Sequence, residues 1–271
     1  MTATIRLGTQ GWNYPAWVGP FYPSGTRPAD MLPLYGRAFG TVEIDSTFYA
    51  APAEPVVRGW KSRVPADFVF ALKVPQEITH ERRLVDAAQP LAVFVERARL
   101  LEDRLGPLLL QTPPDWAPTR EARAALAEFL FLLPGDLRWA IEFRDPRWFD
   151  DETVAMLAAH EVALTLVEGR WTRQERVLSL AERPCAPFAY VRWMGPDRHL
   201  VDYSHVQVSR DEEMGVWSQA LQGLRGRVRE IFGYFNNHFQ GHAPESARRM
   251  QQRLGQAVVE PAALRDQGDL F

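Results

Sequence analysis

Strand-like and helix-like segments alternate along the whole chain, and this alternation limits the fold more than any other feature. Short apolar segments at 5–9, from Thr41 onward, and at 68–74, 107–111, 137–143, 162–167, 188–193 and 228–235 predict eight strands. Between and after them, stretches at 28–39, 54–63, 92–105, 121–133, 153–160, 211–224 and 243–254 predict helices. Strands that alternate with helices imply a parallel sheet. Eight such units in roughly 250 residues match a (β/α)8 TIM-type barrel better than an open doubly wound sheet, which usually has fewer strands. The loops point the same way. Helix-to-strand connections are short, such as Gly40, whereas the strand-to-helix connections 10–27, 75–90 and 168–186 are long. Barrel sites sit on the face where the strand-to-helix loops collect. Residues 1–256 read as one such domain and 257–271 as a C-terminal tail.

In a closed barrel, alternate residues of a strand face the helices and the interior. One parity is apolar: Ile5 and Leu7, Val42 and Ile44, Phe70, Leu72 and Val74, Leu108 and Leu110, Ile141 and Phe143, Val191 and Trp193. The other parity carries Gly8 and Gln10, Glu43 and Asp45, Lys73, Gln111, Glu142 and Arg144, Arg192, Tyr234 and Asn236. These polar residues lie late in their strands, at the predicted mouth. Three carboxylates face three cations, which would leave the cluster nearly neutral. One buried ion pair can serve as a plug, but apolar replacements are often equally stable. A polar ring drawn from seven strands therefore reads as a site.

The residue types suggest roles. Arg144 and Arg192 suit bidentate recognition of a carboxylate or phosphate. Lys73 would neutralise developing negative charge, or act as a base if burial lowers its pKa. Glu43 and Glu142 come from separated parts of the wall and are expected to work as an acid/base pair. Gln10, Trp12, Asp45, His80, Gln111 and Asn236 are the further expected substrate contacts. Trp12, Trp17, Trp148 and Trp193 fall near upper loops or strand ends, where an aromatic could stack on a ligand ring, although packing of the long loops onto the rim is the expected role of any single one.

Other classes find little support. The six histidines show no HExxH or HxxEH spacing, and no P-loop, GxGxxG or GxSxG occurs. No cofactor is expected; the one metal site the pattern would accommodate is a hard Mg²⁺ site on Glu43, Asp45 and Glu142. Cys185 is alone, so an intrachain disulfide is excluded. A net charge of −3 and a pI near 6.1 give no global basic field for nucleic acid. Arg82, Arg83, Arg170, Arg173 and Arg176 on the long loops are the candidates for a local basic rim. No apolar run is long enough to span a bilayer and the first ten residues show no charged region followed by an apolar core, so the expected location is cytoplasmic.

The same residues carry a family resemblance. Gly8-Thr9-Gln10-Gly11-Trp12, Thr41 through Tyr49, Thr79-His80-Glu81-Arg82-Arg83-Leu84, Leu109 through Pro114, Glu142-Phe143-Arg144, Tyr190 through Gly195 and Tyr234-Phe235-Asn236-Asn237 together resemble the YecE-like family, domain of unknown function 72. The resemblance covers nearly the whole chain and implies a TIM-type barrel without supplying an activity. Two positions depart from the usual pattern: Gln10 stands where Ser is common and Asp45 where Asn is common. The tail ends Gln267-Gly268-Asp269-Leu270-Phe271, which resembles the pentapeptide that docks bacterial polymerases and repair factors on the sliding clamp, with Gln267, Leu270 and Phe271 as anchors.

Three functional expectations follow. The first is an enzyme, of hydrolase or lyase type, acting on an anionic small molecule at the mouth. The second is a DNA-maintenance factor tethered to the sliding clamp by the tail. The third is a ligand-binding barrel without catalysis.

Overall fold

The structure is a computed structural model and describes residues 3–196 and 199–265. Its parallel strands are β1 (Thr4–Thr9), β2 (Thr41–Ile44), β3 (Val69–Lys73), β4 (Leu105–Gln111), β5 (Trp139–Glu142), β6 (Ala163–Leu164), β7 (Leu166–Gly169), β8 (Phe188–Gly195) and β9 (Glu230–Phe235). They run in the order β2-β3-β4-β5-β6 and β7-β8-β9-β1 around the wall. β6 and β7 are two halves of one stave, parted at Thr165, whose N–H still donates to the Ile141 carbonyl (2.8 Å). The fold is therefore the expected eight-staved TIM-type barrel.

The other seam, between β1 and β2, is thin. Its backbone link is the Gln10–Glu43 bridge, with the Gly11 N–H donating to the Glu43 carbonyl (2.8 Å). Below it a side chain completes the ladder. The Tyr35 hydroxyl, from helix α1 (Pro28–Ala38), accepts from the Thr9 N–H (2.9 Å) and donates to the Thr41 carbonyl (3.1 Å). The strands approach so closely here that a Cβ on Gly8 would sit 2.1 Å from the Thr41 carbonyl oxygen. Only glycine fits that position.

The remaining helices are α2 (Glu54–Lys61), α3 (Ala88–Arg99), α4 (Arg120–Leu130), α5 (Asp151–Ala159), α6 (Gln174–Ala181), α7 (Asp211–Leu224) and α8 (Ala243–Arg253). Side-chain caps fix two of the starts. The Thr119 hydroxyl accepts from the Ala122 N–H, and the Asp150 carboxylate from the Thr153 N–H, satisfying donors a helix leaves open. Several boundaries differ from expectation, two of them widely. The loop expected at 168–186 contains α6, and α3 spans Ala88–Arg99 rather than 92–105.

The packing divides as the strand parity predicts. The apolar parity, from Ile5 and Leu7 round to Val191 and Trp193, joins the helices in one large core. Inside the barrel, a smaller core of Val69, Ala71, Leu109, Ala140, Tyr190, Phe232 and Tyr234 fills the middle layer. Below this layer Glu230 pairs with Arg138 (2.5 Å) and Arg6 (3.7 Å). Above it lies the polar mouth. The interior thus runs from ionic floor through apolar middle to ionic top.

Candidate functional site

Arg192, on β8, is the hub of the mouth. It is 2% exposed, and its two terminal nitrogens donate to carboxylates from opposite sides of the wall: Nη2 to Glu43 Oε1 on β2 (2.8 Å) and Nη1 to Glu142 Oε2 on β5. Each carboxylate has a second partner. Tyr190 donates its hydroxyl to Glu43 Oε2 (2.7 Å), and Arg144 donates Nε to Glu142 Oε1 (3.2 Å). A buried carboxylate needs this many donors, because desolvation penalises its charge by several kcal/mol. For Glu142, burial pushes the pKa up, but Arg192 and Arg144 outweigh it and hold the carboxyl below the ordinary value. The same pair of carboxylates pushes the Arg192 pKa up against its burial.

This geometry alters two expectations about the carboxylates. Glu43 and Glu142 come from separated strands, as expected, but they meet on one guanidinium instead of facing a substrate from two sides. Arg192, expected to grip a ligand, already spends both terminal nitrogens on glutamates. The guanidinium also stands between the carboxylates that a Mg²⁺ site would need, and Asp45 is exposed at the rim. Among the described residues no group of three or more His, Cys, Asp or Glu side chains is placed to hold a metal.

Above this buried layer opens a cavity of about 460 Å³. Gln10, Asp45, Lys73, His80, Gln111, Arg144, Arg192 and Asn236, all expected site residues, line it together with Phe48, Tyr49, Gln76, Met194 and His238. One wall is neutral and polar. Asn236 Nδ2 donates to Gln10 Oε1 (2.8 Å), and Gln10 Nε2 lies 3.0 Å from Met194 Sδ. The opposite wall is cationic, with Arg144 Nη2 donating to Gln111 Oε1 (2.8 Å) and Lys73 beside it.

Lys73 is 8% exposed and ends 3.7 Å from the centre of the Phe48 ring. Among the described residues its Nζ makes no hydrogen bond or ion pair with any side chain. Burial, then the Arg192 charge, bring its pKa down to about 8 against the pull of Glu142 and Glu43. His80 packs edge-on against the other part of the same Phe48 ring (4.9 Å) and shares a 2.9 Å contact between Nδ1 and the Thr79 hydroxyl. Burial, with Lys73 and Arg144 nearby, pushes its pKa down to about 4, so it is neutral at pH 7.

His80 rides on a π-turn, Glu77–Glu81, a geometry concentrated at functional sites. Directly after it Arg83, Leu84 and Asp86 take positive φ (49°, 70° and 49°), unusual for residues other than glycine. The strained loop holds His80 and Phe48 together over Lys73.

The four tryptophans pack against the protein and do not line the cavity. Trp17, Trp148 and Trp193 are fully buried, and Trp193 stacks on Phe235 (4.1 Å) on the helix side of the sheet. Trp12 packs edge-on against Trp60 (6.1 Å) and is not part of the cavity wall. Cavity aromatics instead come from Phe48 and Tyr49, whose signal was the polar strand end just before them. The arginines expected as a basic rim are partly neutralised: Arg82 pairs with Glu77 (3.0 Å) and Arg83 with Asp115 (2.7 Å), while Arg176 donates to the Phe149 carbonyl. Gln267, Leu270 and Phe271 lie outside the described residues. No helix among the described residues is long and apolar enough to cross a membrane.

A closed α/β barrel with a charged ring at the carboxyl ends of its strands defines the class of this protein. The chain belongs to the DUF72 family: the model for "Protein of unknown function DUF72" matches residues 6–267. It is similar to the UPF0759 protein YecE of Escherichia coli O157:H7, 33% identical over 180 residues, or 66% of this chain and 60% of that protein. The match to the YecE protein of strain K12 takes in 50% of that relative's length, so the chain spans about half to three-fifths of these two relatives. The UPF0759 protein YunF of Bacillus subtilis is 24% identical over 92% of this chain and 94% of its own. A crystal structure of a DUF72 family protein from Thermotoga maritima superposes with a TM-score of 0.80 at 24% identity, covering 93% of this chain and all of that one. That likeness shows the shared fold.

Proposed function

We propose that the barrel mouth binds a small molecule bearing a carboxylate or phosphate and acts on it chemically. The observation that carries this reading is Lys73. A mostly buried amine faces a cavity that Arg144 also lines, and no carboxylate among the described residues is bonded to it. A buried cation in a purely structural ring would be expected to have a carboxylate partner, as Arg192 does. An anionic ligand group would supply that partner, and Arg144 would receive it as a planar donor. Glu43 and Glu142 then hold Arg192 and Arg144 in place instead of exchanging protons with substrate. The Gln10–Asn236 wall offers amide groups to the uncharged part of the ligand.

The test is calorimetry with inorganic phosphate, pyruvate and 3-phosphoglycerate on the wild type and on Arg144→Gln. At least one anion is expected to bind the wild type, and at least tenfold more weakly to the variant, with the far-UV dichroism unchanged. Absence of binding at millimolar concentration, or equal binding by the variant, would overturn the reading. Binding without turnover of any bound compound would favour a non-catalytic ligand-binding barrel.

A further inference from the structure

The chain contains 31 lysines and arginines, and all but two are arginine; the lysines are Lys61 and Lys73. Lys61 is a surface residue paired with Glu102. Lys73 stands in the mouth, in the cavity that Arg144 and Arg192 also line, where another guanidinium would serve as well if only positive charge were needed. The two cations differ in one property that matters here: an amine can lose its proton and become a nucleophile, and a guanidinium cannot.

From this use of lysine, together with the cavity geometry, we infer that Lys73 is an amine nucleophile that forms an imine with a carbonyl compound carrying a carboxylate or phosphate. The inference rests on the anion-site reading above and adds the reacting group and the substrate class. Arg144 would hold the anionic group while the Nζ lone pair adds to the carbonyl carbon. The carbonyl oxygen leaves as water, taking one proton shed by nitrogen and one from the medium, and a C=N bond carrying positive charge remains. That iminium accepts the electron pair of a breaking α C–H bond as an enamine. Neutral His80, packed against Phe48, lines the same cavity as the acceptor for that proton. Desolvation by Phe48 and the neighbouring cations is the same arrangement that activates lysine nucleophiles elsewhere. With a pKa of about 8, about a tenth of Lys73 is free amine at pH 7, against roughly one part in 3,000 for an ordinary lysine.

Two lysines make the test clean. The full chain is incubated with pyruvate, glyoxylate or acetoacetate and cyanoborohydride, and reduced adducts on the Lys61 and Lys73 peptides are quantified by mass spectrometry. Lys73 is expected to label at least about tenfold faster than Lys61 at pH 7. Its rate should level off above about pH 8. Calorimetry with the same three compounds on wild type and Arg144→Gln separates the failures. Binding that depends on Arg144, with Lys73 labelled no faster than Lys61, would overturn the imine and leave the anion site standing. Neither binding nor labelling would remove both.

Discussion

At the scale of single residues, the mouth holds one charge in a costly state and three in paired ones. Both terminal nitrogens of Arg192 bond its two glutamates, so most of their burial is compensated, while the buried Arg192 Nε makes no hydrogen bond among the described residues. Lys73 has no such compensation, and its lowered pKa is a stability statement. The unfolded chain binds the Lys73 proton more tightly than the fold does, so protonation favours unfolding. The penalty is full below about pH 8 and disappears above the unfolded value of 10.5. The shift corresponds to roughly 3 kcal/mol, of which the contact with the Phe48 face returns part. Lys73→Met should therefore be about 1–2 kcal/mol more stable than wild type at pH 7, with the gain fading towards pH 10.5, while imine trapping is lost. Urea unfolding of both proteins at pH 7 and pH 10 measures this; a variant less stable at pH 7 would mean the amine is held by favourable contacts instead. Much of this scale was legible in the sequence, since eight of the predicted residues line one cavity. What strand parity could not give is who pairs with whom. Glu43, Glu142 and Arg192 are equivalent as inward polar residues, and only the barrel's closure puts one guanidinium between two carboxylates.

Elements show where local pattern stops being informative. Strand alternation survives burial because the two faces meet different neighbours, helices outside and a narrow interior inside. α6 was not legible: its eight residues bury chiefly Val177 and Ala181, and the arginines around them read as a charged loop. The π-turn at Glu77–Glu81 and the positive φ values after it also leave no periodic trace, because tertiary contacts impose them. The β1–β2 seam is a third case, since nothing in the α1 pattern distinguishes Tyr35 from an ordinary core aromatic. Its hydroxyl nevertheless supplies both the acceptor and the donor that the strands lack. Tyr35→Phe would strand the buried Thr9 N–H and Thr41 carbonyl at a cost of about 1–3 kcal/mol. Chemical denaturation should register that loss, whereas Tyr→Phe at a ring with no bridging role would be nearly silent. If Tyr35→Phe is silent too, the seam does not depend on the hydroxyl.

For the whole molecule, the barrel separates the parts that make it stable from the parts available for chemistry. The large outer core and the ionic floor around Glu230 lie away from the mouth, so the upper loops can carry strain and the strand end can carry a buried amine. The family match covers residues 6–267. The expected tail, 257–271, starts on the barrel: Leu264, in the short helix Pro261–Leu264, is buried in the large core, and the clamp reading concerns the residues after it. The tail sequence predicts that a peptide of residues 258–271 binds a bacterial sliding clamp in calorimetry, and that Leu270→Ala with Phe271→Ala abolishes binding. Equal binding by the doubly substituted peptide would remove the clamp reading and leave the barrel site untouched.

The sequence alone determined the barrel, the face on which its polar residues gather and the residue types available there, because these depend on periodicity and order along the chain. Only the tertiary structure decided which charges neutralise one another, which aromatics line the cavity and which amine has no anionic partner among the described residues. Those outcomes depend on distances across a closed interior, between residues as far apart in sequence as Glu43 and Arg192.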